Sequence, residues 1–206
     1  MTTIMPQPVK CPVCENEFEI FVLGSTNAWG APDLDLRPPE MQRSTMNQWV
    51  HECPNCGYVT SDFNISAEIT SDFLKSDSYK SCDDLNFKHS LAERFYRQHL
   101  IVSDNADKFY ALLHCVWVCD DTGDEKNAEF IRTKCLEYMD QFELNDDNLI
   151  QRADLLRRSG QFERVIEEYS TKTFEEDIYN KLCSFEVEKA IQKDTSCYTV
   201  EDVVKS

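Results

Sequence analysis

Leu155-Leu156-Arg157-Arg158-Ser159-Gly160-Gln161-Phe162-Glu163-Arg164-Val165-Ile166-Glu167-Glu168-Tyr169 is the stretch on which the fold turns. Leu149, Ala153, Leu155 and Leu156 recur at helical spacing before the glycine, and Phe162, Val165, Ile166 and Tyr169 recur at it afterwards. A glycine between two such runs is a helix stop followed by a helix start, so the segment predicts a helix–turn–helix unit. Trp117–Ile131 (WVCDDTGDEKNAEFI) repeats the arrangement, with Gly123 as a left-handed cap and Asp124 as the N-cap of a helix striped by Ala128, Ile131, Cys135, Leu136 and Met139. The two glycines stand 37 residues apart, near the roughly 34-residue period of tetratricopeptide repeats. The expectation is a tetratricopeptide-like antiparallel helical array. Two or three units are too few for an open solenoid and pack instead as a compact bundle.

Outward from this centre the helical reading continues. Leu91, Phe95, Tyr96, His99, Leu100 and Ile101 recur at near-helical spacing, and Phe109 to Val118 is apolar enough for a central buried helix. Ile178 to Ile191 predicts a last long helix, and Thr199 is placed to cap a short terminal one. The N-terminal end differs in kind: all seven prolines lie before position 60 and none after it. The chain therefore divides into residues 1–61, a loop-and-strand module, and 62–206, a helical repeat-like domain. Phe18 to Leu23 and Gln48 to His51 are the expected strands, and residues 24–48 form a long turn-rich connection.

Four cysteines give the N-terminal module its chemistry. Cys11-Pro12-Val13-Cys14 and Cys53-Pro54-Asn55-Cys56-Gly57-Tyr58 are two CxxC knuckles, each able to turn a pair of thiolates toward one ion while backbone N–H groups point at the sulfurs. Cys11, Cys14, Cys53 and Cys56 are thus the candidate ligands of a tetrahedral site, with zinc as the expected metal. Iron in a rubredoxin-like setting uses similar knuckles. The pairs are separated by 38 residues, against about 15 to 20 in a simple ribbon, which implies an insertion within a zinc-ribbon-like module. No βαβ pattern surrounds either pair, which argues against a thioredoxin-type redox role. Four protein ligands leave no position open for water, so the expected role of the metal is structural.

The remaining cysteines are Cys82, Cys115, Cys119, Cys135, Cys183 and Cys197. Cys115 and Cys119, four apart beside His114, sit among Leu112, Leu113, Val116 and Trp117, and all six are expected as small core residues among the helices. His51 stands two residues before the second knuckle as a substitute ligand, a hydrogen-bonding neighbour of the site or an ordinary strand histidine. Asp33 and Asp35 are expected in a solvated acidic loop, with a second cation or a basic partner as the alternative.

Composition bounds the functions. The 206 residues carry 21 Lys and Arg against 38 Asp and Glu, a net charge of −17, so the chain repels nucleic acid and anionic lipid. The balance holds in the knuckle module, where Lys10, Arg37 and Arg43 face seven carboxylates over residues 1–60. That is the wrong sign for the phosphate contacts of nucleic-acid-binding ribbons. With 41% hydrophobic residues the chain has enough apolar surface to fold. No apolar run approaches the roughly 18 residues of a membrane span, and the start lacks a signal-peptide core. A cytoplasmic location is expected, where thiols stay free or bind metal.

CPVC, the acidic DLDLRP segment (33–38), CPNCGYVTSDF (53–63), ALLHCVWVCDDTGD (111–124) and FEVEKAIQKDTSCYTVEDV (185–203) together resemble the uncharacterised bacterial proteins of domain-of-unknown-function family 2225. The resemblance covers nearly the whole chain. It implies a zinc-ribbon-like start, a tetratricopeptide-like remainder and no established activity. Three functions compete on this evidence. A non-enzymatic zinc protein whose helical scaffold binds a protein or peptide, with a basic segment favoured by charge, fits best. A metal-dependent enzyme would use residues 24–52, with Asp33, Asp35 and His51, but no nucleophile or catalytic spacing accompanies them. An electron-transfer role would require iron. Partner and oligomeric state are not legible in the sequence.

Overall fold

The computed structural model describes residues 1–67 and 69–205. Among them are nine α-helices and two sheets of two strands each, a mainly α architecture with a small cysteine knuckle module. β1 (Thr3–Lys10) pairs antiparallel with β2 (Glu17–Ser25), from Lys10 opposite Glu17 to Ile4 opposite Leu23. β2 contains the expected strand. β1, unexpected, carries Pro6 and Pro8; being two apart, their missing donors lie on one side of the strand, and a two-stranded ribbon leaves one side of each strand unpaired.

The connection after β2 is ordered by short elements: a single turn, α1 (Glu40–Arg43), and a 3-10 turn at Met46–Gln48. The strand expected at 48–51 is therefore corrected. Trp49 closes the 3-10 turn through its backbone and bonds Thr45 Oγ1 with Nε1 at 2.9 Å, and only His51 enters a strand. β3 (His51–Glu52) and β4 (Val59–Thr60) are two residues each, because the knuckle between them takes up the rest.

Continuous helix does not begin at residue 62. Two 3-10 turns, Phe73–Lys75 and Asp83–Leu85, flank a single turn α2 (Asp77–Lys80). The long helices follow: α3 (Ser90–Ile101), α4 (Asn105–Asp121), α5 (Glu125–Met139), α6 (Asp146–Arg158), α7 (Phe162–Tyr169), α8 (Asp177–Ile191) and the short α9 (Val200–Val204). Sequential neighbours pack together from α3 to α6 and from α6 to α9, and α6 also packs on α8. No helix of the described residues is long and apolar enough to cross a membrane.

Three helix ends share one geometry. Gly123 (φ +64°) closes α4 with bonds from its own N–H to Asp120 O at 3.1 Å and from Asp124 N–H to Cys119 O at 2.8 Å. Gly160 (φ +75°) closes α6 in the same way onto Arg157 and Leu156, and Lys193 (φ +56°) closes α8 onto Ala190 and Lys189. These are Schellman ends, in which a left-handed residue lets the last carbonyls find donors. The third was hidden because a lysine holds the left-handed position. Thr199 caps α9 in a reciprocal box with Asp202, as expected. Asp124 does precede α5, but its carboxylate does not cap it: Oδ2 accepts from Lys88 N–H at 3.2 Å and Asn127 Nδ2 at 2.9 Å, tying the turn to the start of α3.

Two apolar clusters result. The larger follows α3 to α9 through Phe95, Leu112, Ile131, Leu155 and Val165, and takes in Leu34, Met46 and Val50 from the N-terminal connection. The smaller gathers Val9, Ile20, Tyr58, Phe63, Leu74 and Tyr79 around Cys11 and Cys53.

Candidate metal centre

The two knuckles are built alike. In the first, Cys11 N–H bonds Asn16 O and Glu15 N–H bonds Cys11 O, both at 2.9 Å; in the second, Cys53 N–H bonds Tyr58 O at 2.8 Å and Gly57 N–H bonds Cys53 O at 3.0 Å. Each is the tip of an antiparallel ribbon, β1–β2 and β3–β4. The tight turn demands a left-handed residue after the second cysteine, which is Gly57 (φ +74°) in one knuckle and Glu15 (φ +60°) in the other.

The tips meet. The sulfurs of Cys11, Cys14, Cys53 and Cys56 all lie within 4.8 Å of one another, with Cys11 to Cys56 at 3.7 Å and Cys14 to Cys53 at 3.6 Å. A tetrahedral ion with sulfur ligands at about 2.3 Å separates its ligands by about 3.8 Å, so the four thiols fit a metal ion of that size. Cys11 and Cys53 are buried and Cys14 and Cys56 half-buried. Asn55 Nδ2 donates to Cys14 Sγ at 3.4 Å, and this bond, with a backbone N–H from Asn16, pulls the thiol down to about 6. Burial pushes the Cys11 and Cys56 thiols up.

The surroundings hold the knuckles still. Phe63 meets Phe18 and Tyr58 edge-on at 5.0 and 5.9 Å, bridging the two tips. Tyr79 donates its hydroxyl to Gly57 O at 2.7 Å beneath the Arg97 guanidinium. Arg97, on α3, also reaches Glu52 at 3.7 Å, Glu93 at 2.6 Å and Asp83 at 2.8 Å, linking the second knuckle to the helices.

Other candidate residues lie apart. Among the described residues the only cluster suited to a metal is the four cysteines, and His51 is not in it. His51 is buried, its pKa lowered by that burial, and its Nε2 has no partner. The solvated acidic loop expected around Asp33 and Asp35 is overturned: the two are 2% and 0% exposed. Asp33 pairs with Arg43 at 2.7 Å. Asp35 accepts from Trp117 Nε1 at 2.8 Å and faces Arg158 at 3.3 Å, while its carbonyl accepts from Gln151 Nε2 at 2.8 Å. Cys82, Cys115, Cys119, Cys135 and Cys183 are buried as expected, but Cys197 is exposed and donates to Asp33 Oδ2 at 3.4 Å.

Sequence reasoning missed the charged core behind Asp35. Arg158 bonds Asp120 at 2.7 Å, which Arg132 also holds with bonds of 2.6 and 2.7 Å. Arg157, fully buried, donates to Asp154 at 2.7 Å and to Glu186 at 2.6 Å. Burial raises Asp35 to about 6 and Glu186 to about 8. In sequence Asp154-Leu155-Leu156-Arg157-Arg158 carries no signal of this, because its charges read as the solvated face of an amphipathic helix, whereas residues 150–159 are all buried. No family model, curated protein or solved structure matches the chain.

Proposed function

We propose that this chain is a non-enzymatic zinc protein, in which a structural four-thiolate centre holds together the two knuckles of an N-terminal module fused to a tetratricopeptide-like helical scaffold that binds a protein or peptide partner. The observation that carries the reading is the convergence of four thiols from two matching knuckles at near-tetrahedral separations. Zinc is the ion such a set takes by default, and four protein ligands leave it no open position for substrate. The scaffold reading is supported by the three matching Schellman ends, which fall 37 and then 33 residues apart. A resemblance to domain-of-unknown-function family 2225 and a cytoplasmic setting accord with this reading, the latter because all ten cysteines are free. The net charge of −17 favours a basic partner segment. The enzymatic reading loses its acid–base residues, since Asp33 and Asp35 are held by Arg43, Arg158 and Trp117 rather than near the thiols.

Metal analysis of protein purified without added metal tests the centre. One zinc per chain is expected; a coloured protein with one iron would replace this reading with an electron-transfer one. For the partner, capture should weaken as salt is raised, and capture that strengthens with salt would rule out a basic ligand.

A further inference from the structure

The inserted segment does not merely cover the helices; it leaves a cavity of about 570 Å³ against α4. Tyr110, Leu113, His114 and Trp117, at helical spacing, form the α4 side, and Trp49 with Gln42 and a run of prolines forms the other. No charged side chain lines it. Trp49 Nε1 is committed to Thr45 and Trp117 Nε1 to Asp35, so both indoles offer the cavity only their ring surfaces.

His114 is the unexplained group. Its ring lies 5.0 Å from those of Trp49 and Trp117 and 5.1 Å from that of Phe95. Burial alone lowers its pKa to about 4, with no hydrogen bond or charge contributing. A neutral imidazole carries one N–H donor and one bare nitrogen acceptor. Neither meets a protein partner among the described residues; the same holds for His51 Nε2 and His99 Nδ1, but those atoms are enclosed, whereas the half-buried His114 lines the cavity.

We propose that this cavity binds an uncharged, planar nitrogen heterocycle, stacked on one of the Trp49 and Trp117 rings, which stand at 77° to each other, and hydrogen-bonded to one nitrogen of His114. The aromatic walls supply stacking and dispersion, and the imidazole supplies either its N–H donor or its bare nitrogen acceptor, which point away from each other on the ring. Charge selects against the alternatives. An anion is repelled by a chain of net charge −17 and finds no cation in the lining. A cation would be drawn to the ring faces but finds no free carboxylate, because Asp35, behind Trp117, is already held by Arg158. The proposal is independent of the metal assignment.

The test uses the full-length, metal-loaded protein with adenine as probe, and benzoate and benzyltrimethylammonium as charged rings of similar size. Titration followed by tryptophan fluorescence and ligand-observed NMR should show saturable adenine binding with a Kd of about 1 mM or tighter, reasonable for a fragment of this size. His114→Phe, which keeps a ring in place and removes both nitrogens, should weaken adenine at least about tenfold, with helical content and metal content unchanged. If that variant does not fold, the imidazole nitrogen resonances of His114 in the parent report instead and should shift on adenine addition. Absence of saturation, equal binding of either charged ring, or an unaltered Kd in His114→Phe would overturn the proposal; so would imidazole resonances that stay fixed.

Discussion

Glu15 occupies the left-handed position that Gly57 takes in the matching knuckle, and Lys193 the one that Gly123 and Gly160 take at the ends of α4 and α6. A side chain there crowds the following carbonyl, at a cost of about 1 kcal/mol. Glu15 recovers part of this through its bond to Lys10 at 3.1 Å, an exposed pair worth little. Glu15→Gly and Lys193→Gly should each raise the stability of the metal-loaded protein by about 0.5–1 kcal/mol, read as a higher Tm in calorimetry. A lower Tm in either would mean that the side chain makes a contact worth more than the strain. At this scale the ligands were legible in the sequence, because a CxxC turn is a local geometry that needs only its own few residues. The left-handed Glu15 and Lys193 were not, since neither residue type announces a positive φ.

Among the elements, α6 holds the feature that defines the core. It buries Arg157, Arg158 and Asp154 against α4, α5, α8 and the inserted segment, where desolvation is offset by dense pairing. Glu186, on α8, is the weak member. Its Oε1 has no partner, and burial together with the Asp154 carboxylate holds its proton on to about pH 8, against the opposing pull of Arg157 and Arg158. The unfolded carboxyl loses its proton near pH 4, so between about 4 and 8 the folded state binds more protons and Glu186 destabilises it progressively as pH rises. Glu186→Gln keeps the acceptor for Arg157 and cannot ionise. The variant should gain on the parent by about 2 kcal/mol between pH 6 and pH 8 in urea denaturation; a constant difference across that window would mean that Glu186 is ionised throughout. The helices themselves were legible from their periodicity. The charged core was not, because Arg157 and Asp154 look like a solvated face until α8 and the inserted segment cover it.

In the whole molecule, two apolar clusters are served by different forces. The larger, around α3 to α9, rests on hydrophobic burial, whereas the smaller is built around the thiols and has few apolar residues of its own. Chelation of the metal, or Cys53→Ala, should therefore release the β1–β2 ribbon and the second knuckle while leaving the helices. The expected readout is fast amide exchange over β1 and β2, with far-ultraviolet helical signal nearly unchanged; cooperative loss of the helical signal would show that the two clusters fold as one. The amino-acid sequence by itself determined the helical class, the turn glycines and the four thiols, because each depends on spacing along a short stretch of chain. Only the tertiary structure decided that the acidic segment of the insertion is buried, that Asp35 meets Arg158, and that Trp49 closes over His114. Those pairings join residues far apart in the chain, and whether a carboxylate is solvated or held by a guanidinium depends on what the rest of the molecule places over it.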